Sequence, residues 1–181
     1  MLQLVIPLSP EGWDEKTEQF VEAKTYVLQL EHSLVSLSKW ESKWEKPFFS
    51  KAEKSYEEII DYIKFMTISK NVDPNVYTHL TNGNIREINQ YIEAPMTATT
   101  FSKDKNQAKS REIITAELIY YWMIALNIPF ECQKWHLNRL LTLIRVCNIK
   151  NSPPKKMSKK EAALQRSQLN AARKKQMNTK G

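Results

Sequence analysis

Glycine is scarce in this sequence: Gly12, Gly83 and Gly181 are the three that occur in 181 residues. The phosphate-binding loops of nucleotide-dependent enzymes need several glycines within a few residues, because the backbone must approach the phosphates closely. No Walker motif, dinucleotide-binding fingerprint or kinase glycine-rich loop can be assembled from three isolated glycines. The sequence therefore excludes the common nucleotide-binding classes of enzyme.

Cysteine is also rare, and long apolar runs are missing. If Cys132 and Cys147 lie on one helix, as we expect, they are about 22 Å apart, too far for a disulfide. No run approaches the roughly 18 apolar residues that span a bilayer, and the first residues lack the basic segment and cleavage site of a secretory signal. These absences predict a cytoplasmic protein with two free thiols and no membrane contact.

The net charge of +7 is distributed unevenly. Residues 151–181 contain nine Lys or Arg residues and one acidic residue, whereas residues 1–150 contain 18 basic and 19 acidic residues. The basic character is thus a property of the C-terminal end and not of the whole fold. Because Pro153-Pro154 separate these parts, we predict a globular body over 1–150 and a basic tail over 151–181.

The pattern of apolar residues predicts a mainly α protein with a small N-terminal β element (α+β). Alternation in residues 2–6 and 17–30 predicts two or three strands within 1–30, and helical spacing predicts a helical region over 31–150. The predicted helices begin near Leu34, Ser55, Asp73, Ile85 and Ser110, and a further helix covers about residues 131–149. Ser55 and Glu58 form a capping box, and Ile59, Tyr62 and Ile63 follow as an apolar stripe. The last helix lies in the tail after a capping box of Ser158 and Glu161. The segment Thr81-Asn82-Gly83 is predicted to be a turn.

The predicted helix that starts at Ser110 is apolar nearly all round, which is typical of a central helix. Glu117 lies on it, and a carboxylate in such a setting can have a raised pKa and act as an acid or base. The alternative is an ion pair with Arg139 or Arg145 of the next helix, or a narrow solvent-exposed face of the helix. We favour this alternative, because no second carboxylate on this helix completes a hydrolytic pair.

Cysteine and histidine offer two further candidate sites. Cys132 and His136 are four residues apart and would share one helix face, as in half of a zinc site, but the paired ligand spacings of a structural zinc site are missing. Cys147 lies near Arg145, which favours a reactive thiolate, yet its apolar neighbours favour burial. We predict that these residues pack in the core and that the protein is not an enzyme and has no metal or cofactor.

Aromatic residues between 40 and 49 form the first candidate partner-binding site. Trp40 and Trp44 are one helical turn apart, and Phe48 and Phe49 follow them. Aromatic side chains on one face commonly anchor a partner protein. The alternative is that the two tryptophans cover the domain's own core.

The tail is the second candidate site. Its predicted binding residues are Lys155, Lys156, Lys159, Lys160, Arg166, Arg173, Lys174 and Lys175. They could bind nucleic-acid phosphates in a salt-sensitive way, or the tail could fold as a helix against an acidic or apolar groove of a protein. A solvated tail without a partner is the third possibility. The absence of aromatic residues argues against stacking with single-stranded bases.

Three blocks of the sequence resemble one known protein family. They are LEHSLVSLSKWESKWEKPF (30–48), SREIITAELIYYWMIALNIPFECQKWHLNRLLTLIRVCN (110–148) and KKMSKKEAALQRSQLNAARKKQ (155–176). The amino-acid sequences of these blocks are similar to those of small tailed-phage proteins termed tail assembly chaperones. The resemblance covers most of the chain after residue 25 and is less close before it.

The resemblance implies a non-enzymatic role in phage tail morphogenesis. Tail assembly chaperones are thought to coat the aggregation-prone tape-measure protein in the host cytoplasm until tube subunits polymerise around it. In such a coat, the basic C-terminal segment of this chain could dock on a neighbouring copy and form an oligomer. No catalytic residues accompany the family. The alternatives are a structural virion protein of the tail or connector, whose basic tail contacts neighbouring subunits or DNA, and a nucleic-acid-binding regulator acting through residues 155–175.

Overall fold

The computed structural model describes residues 1–9, 12–14, 19–21, 24–101, 113–152 and 159–178. The chain divides into two compact units, Met1–Asn148 and Ile149–Gly181. Helices predominate and the strands lie at the N-terminal end, so the predicted fold class is confirmed. The boundary predicted at residue 151 stays a prediction, and Pro153-Pro154 lie outside the described residues.

The N-terminal strands form two antiparallel pairs. β1 (Leu2–Ser9) pairs with β4 (Lys24–Leu30), and β2 (Gly12–Asp14) pairs with β3 (Gln19–Val21). Side chains alternate across the first pair, so that Leu4 and Leu28 are fully buried while Val5 and Val27 are half-exposed on the other face. The prediction of two or three strands is too low, because three-residue strands are too short to give an alternating pattern.

Helices make up most of the remaining fold. Their limits are α1 (Leu34–Trp44), α2 (Tyr56–Met66), α3 (Asn82–Glu93), α4 (Ala116–Ala125), α5 (Leu137–Asn151) and α6 (Lys159–Gln176), and two 3-10 helices cover Pro74–His79 and Phe130–Lys134. Ser33, Ser55 and Thr81 begin α1, α2 and α3 with reciprocal capping boxes. The predicted box of Ser55 with Glu58 is confirmed, whereas the tail's predicted box involves Ser158, outside the described residues.

Three helix predictions are corrected by local hydrogen bonds. Thr81 is the N-cap of α3, so Asn82 and Gly83 belong to its first turn and not to a separate turn. α4 begins only after its N-cap Thr115, whose hydroxyl accepts the Leu118 N–H, so Ile113 and Ile114 precede the helix. Ser110, the predicted start, lies outside the described residues. The helix predicted over 131–149 is interrupted after the second 3-10 helix, and α5 starts only after His136.

α4 is not central, contrary to the prediction. Tyr121 is 64% exposed and Ile124 is 61% exposed, while Ile119 and Met123 are buried on the opposite side. An all-round apolar helix is expected inside a protein, so α4 leaves an apolar face at the surface. The sequence pattern alone could not identify the covered face, because both faces have the same composition.

Two clusters of buried apolar residues form the core of the Met1–Asn148 unit. The first lies under β1 and β4 and includes residues from α2 and α3. The second lies between α1, α4 and α5. α1 contributes to both, with Trp40 in the first cluster and Leu34 and Leu37 in the second, and Phe48 packs against both clusters.

The end of α1 provides a test of backbone strain. Glu45 is the C-cap and adopts a left-handed conformation with φ of 52°. This conformation costs a residue with a Cβ atom roughly 1 kcal/mol, and glycine avoids most of that cost. We expect Glu45→Gly to raise the free energy of unfolding by about 0.5–1 kcal/mol in urea denaturation.

The matched control is Glu87→Gly, at an exposed position inside α3. There glycine is expected to lower the free energy of unfolding by about 1 kcal/mol, because glycine has more conformational freedom than glutamate in the unfolded chain and loses it in the helix. Equal destabilisation by both variants would show that the left-handed backbone of Glu45 is not strained.

Candidate partner-binding groove

An open groove with a volume of about 480 Å³ lies in the Met1–Asn148 unit. Its lining is mostly apolar and comes from α2, α3 and the segment between α1 and α2: Phe48, Glu53, Lys54, Ile59, Tyr62, Ile63, Ile85, Ile88, Asn89 and Ile92. We call this set the α2/α3 groove. A concave, mostly apolar surface of this size with a few polar side chains is typical of a binding site.

The helical spacing of the isoleucines explains why the groove forms. α2 supplies Ile59, Tyr62 and Ile63, and α3 supplies Ile85, Ile88 and Ile92. Residues three and four positions apart lie on one face of a helix. Ile63 and Ile88 are 2% exposed, whereas Ile59 is 37% exposed. The groove therefore has a buried base and at least one accessible apolar side.

Lys54 adds a cation to the groove. Its Nζ donates a hydrogen bond to the Phe48 carbonyl at 2.8 Å and lies 4.4 Å from the centroid of the Phe48 ring. Partial burial lowers the pKa of Lys54, and the carboxylate of Glu58 opposes this effect. An ammonium has three donors, so it retains donors that can bind a carboxylate or a carbonyl of a partner.

Two of the four predicted aromatic anchors lie in or beside the groove. Phe48 is a lining residue, and its ring centroid is 4.3 Å from that of Tyr62. Phe49 is 43% exposed and contacts the Phe48 ring edge-on at 5.6 Å. Phe48 thus lines the groove and Phe49 lies next to Phe48, and partner binding by these two residues stays a prediction.

The two tryptophans are placed differently. Trp40 is 1% exposed, and its indole N–H donates to the Glu58 carbonyl at 2.8 Å. It is a core residue, the alternative considered from the sequence, and its ring is not accessible to a partner. Trp44 is half-buried beside the Lys43–Asp61 ion pair, and its indole nitrogen has no hydrogen-bond partner among the described residues. Binding through Trp44 stays a prediction.

The basic residues predicted as binding residues are only partly described. Lys155 and Lys156 lie outside the described residues, and Lys159 and Lys160 are the first two residues of α6. Four others are fully described, and their side chains are exposed on α6: Arg166, Arg173, Lys174 and Lys175.

The candidate acid, Glu117, does not pair with the predicted arginines. Glu117 is exposed in the first turn of α4. The guanidinium of Arg139 stacks on Trp135 at 4.2 Å, and that of Arg145 stacks on Phe101 at 4.0 Å. The ion pair is therefore not formed, because both guanidinium groups lie on aromatic faces instead. The exposed position of Glu117 agrees with the other expectation, a solvent-exposed face of the helix.

The Cys132–His136 pair is buried and does not form half of a zinc site. His136 uses both ring nitrogens within the protein: Nε2 donates to the Tyr91 carbonyl at 3.0 Å, and Nδ1 accepts the Asn138 N–H at 3.3 Å. Within the described residues, no group of three or more His, Cys, Asp or Glu side chains has a metal-binding arrangement. His136 instead begins α5 by accepting an N–H of its first turn.

A buried polar cluster near His136 was not predicted from the sequence. The Tyr62 hydroxyl and Nδ1 of His32 share a hydrogen bond of 2.5 Å, and the rings of His32 and His136 are 5.1 Å apart. Tyr91 donates to the Glu31 carboxylate at 2.7 Å. Burial, followed by the nearby His136, lowers the pKa of His32 to about 3. No local spacing could identify this cluster, because its members come from distant parts of the chain.

Glu41 is the second feature missed by sequence reasoning. Its Oε1 accepts the Phe48 N–H and its Oε2 accepts the Ala116 N–H, each at 2.7 Å. The side chain is 7% exposed. One buried carboxylate thus joins α1 to the start of α4 and fixes the backbone of Phe48, which lines the groove.

No family model matches the chain, and no curated protein or solved structure matches it either. Among the helices of the described ranges, none has the length and apolarity needed to cross a membrane. The function is therefore inferred from the α2/α3 groove, from α6 and from the resemblance of the sequence blocks.

Proposed function

We propose that the protein is a phage tail assembly chaperone that binds helical segments of the tape-measure protein in the α2/α3 groove. The observation behind this proposal is the groove itself, which is lined by isoleucines of α2 and α3 together with Phe48 and Lys54. The partner is suggested by the resemblance of residues 30–48, 110–148 and 155–176 to tail assembly chaperones. The first of these blocks ends at Phe48.

The groove suits the apolar face of an amphipathic helix. Such a helix presents apolar side chains at positions i, i+3, i+4 and i+7, and the isoleucines of α2 and α3 offer an apolar surface with the same spacing. Association then depends on apolar burial, which changes little with salt. Lys54 favours a segment with an acidic residue or a helix C-terminus beside its apolar face.

Ile59→Glu tests the groove directly. We expect this variant to bind the tape-measure protein at least about tenfold more weakly, because a carboxylate must then be desolvated in an apolar contact. The matched control is Ile124→Glu, at an exposed isoleucine on α4 that does not line the groove. Affinity is measured by calorimetry with tape-measure segments, and holdase activity by the solubility of the co-expressed full-length protein.

The outcomes separate the proposal from its rivals. A wild-type chain that neither binds nor solubilises the tape-measure protein contradicts the chaperone function. Equal weakening by both glutamate variants contradicts the groove as the binding site. The exposed basic helix α6 favours the alternative of a structural virion protein, and mass spectrometry of mature particles decides between them, since a chaperone should be absent there.

A further inference from the structure

Helix α6 extends over 18 residues, Lys159–Gln176. Every residue from 163 to 178 is exposed. The isolated sequence would form a marginal helix, since it has few apolar residues to bury. A solvent-exposed helix with several cations is therefore a surface to which a partner of opposite charge can bind.

Three of the four fully described cations of α6 lie on one side. At about 100° per residue, Arg166 and Arg173 differ by only about 20° in direction, and Lys174 lies about 80° from Arg166. The residue between them on this side is Asn170, which is short and polar. Lys175 lies on the other side, near Gln168. We call the side formed by Arg166, Asn170, Arg173 and Lys174 the cationic face.

The apolar residues of α6 do not form a stripe. Leu164 and Leu169 are five residues apart, so they differ by about 140° around the helix. A helix that docks in a groove of a protein needs apolar residues on one side. This arrangement argues against a protein groove as the binding partner and leaves electrostatic attraction as the main source of affinity.

We propose that the cationic face of α6 binds the phosphate backbone of duplex nucleic acid. A duplex has one negative charge per about 1.7 Å, and its major groove admits an α-helix. Residues 155–181 contain no aromatic side chain, so stacking on unpaired bases is not available. The contact is expected to be independent of base sequence and to weaken steeply with salt.

The test compares two variants of the full chain that have the same net charge. Arg166→Gln/Arg173→Gln removes two cations from the cationic face, and Gln168→Glu/Lys175→Gln lowers the charge of the other side by the same amount, also at a seven-residue spacing. Binding to a 20-base-pair DNA duplex is followed by fluorescence anisotropy between about 50 and 200 mM salt. Circular dichroism verifies that helix content is the same.

We expect the first variant to reduce the slope of log affinity against log salt by about two relative to the wild-type chain, because two phosphate contacts are lost. The second variant should retain the wild-type slope. An equal reduction of this slope in both variants would show that net charge alone attracts DNA and would overturn the proposal. It would also be overturned by no duplex binding, by equally tight binding of single strands, or by polyglutamate competing as well as the duplex at equal charge.

Discussion

Glu41→Ala is expected to lower the free energy of unfolding by about 3–5 kcal/mol. The substitution leaves the N–H groups of Phe48 and Ala116 without their acceptor, and each buried donor left unsatisfied costs about 1–3 kcal/mol. Hydrogen bonds to an ionised carboxylate are at the stronger end of the range. Urea denaturation at neutral pH measures the change.

Two further variants test this explanation. Glu41→Gln retains one acceptor oxygen but turns an amide NH₂ towards the second N–H, so an intermediate loss of about 2 kcal/mol is expected. Glu57→Ala removes an exposed carboxylate from the first turn of α2 and should change stability by less than about 1 kcal/mol. If Glu41→Ala is as mild as Glu57→Ala, the carboxylate does not join these segments.

Mild acid is expected to destabilise the protein through His32. Burial and the neighbouring His136 lower the pKa of His32 from 6.5 to about 3, and burial is also the main cause that lowers the pKa of His136. The unfolded chain therefore binds more protons than the folded chain as the pH falls below 6.5. The free energy that the neutral His32 contributes to folding is fully present above that pH and is lost as the pH falls towards 3.

The size of this effect follows from the pKa difference. Between pH 7 and pH 5, where carboxylates stay ionised, His32 alone is expected to lower the free energy of unfolding by about 2 kcal/mol. His136 acts in the same direction, whereas its contact with the Tyr91 carbonyl and the charge of Glu31 oppose the shift of its pKa. The Tyr62 hydroxyl that faces His32 is neutral, because burial raises the pKa of its phenol.

The variant His32→Gln identifies the titrating group. Its stability should fall clearly less than that of the wild-type chain between pH 7 and pH 5, even though its stability at pH 7 is lower because the bond with Tyr62 is altered. An unchanged pH dependence in His32→Gln would assign the acid sensitivity to other groups.

Periodic patterns predicted the strands and helices of this fold better than they predicted which faces are exposed to solvent. The alternation around Leu28 and the stripe of Ile59, Tyr62 and Ile63 correctly indicated a buried strand face and an apolar helix face. The apolar composition of α4 predicted a central helix, and this prediction is wrong, because hydrophobicity on all sides does not identify the side that is covered.

The candidate site was partly predictable for a physical reason. Phe48 and Phe49 were found because consecutive aromatic residues after a helix are a local signal. The opposite side of the groove comes from α3, and only the tertiary fold brings it near α2. Glu41 and His32 were missed because a single buried polar residue has no periodicity, and its partners are distant in the sequence.

The bond between Glu41 and Ala116 has a consequence for the order of events during synthesis. The two residues are 75 positions apart, so the Glu41 carboxylate, whose other oxygen accepts the nearby Phe48 N–H, receives its second donor only after Ala116 has left the ribosome. A nascent chain that ends near residue 101 contains every residue that lines the groove, yet one carboxylate oxygen of Glu41 still lacks its donor. The buried carboxylate that holds Phe48 is therefore fully bonded only at a late stage of translation.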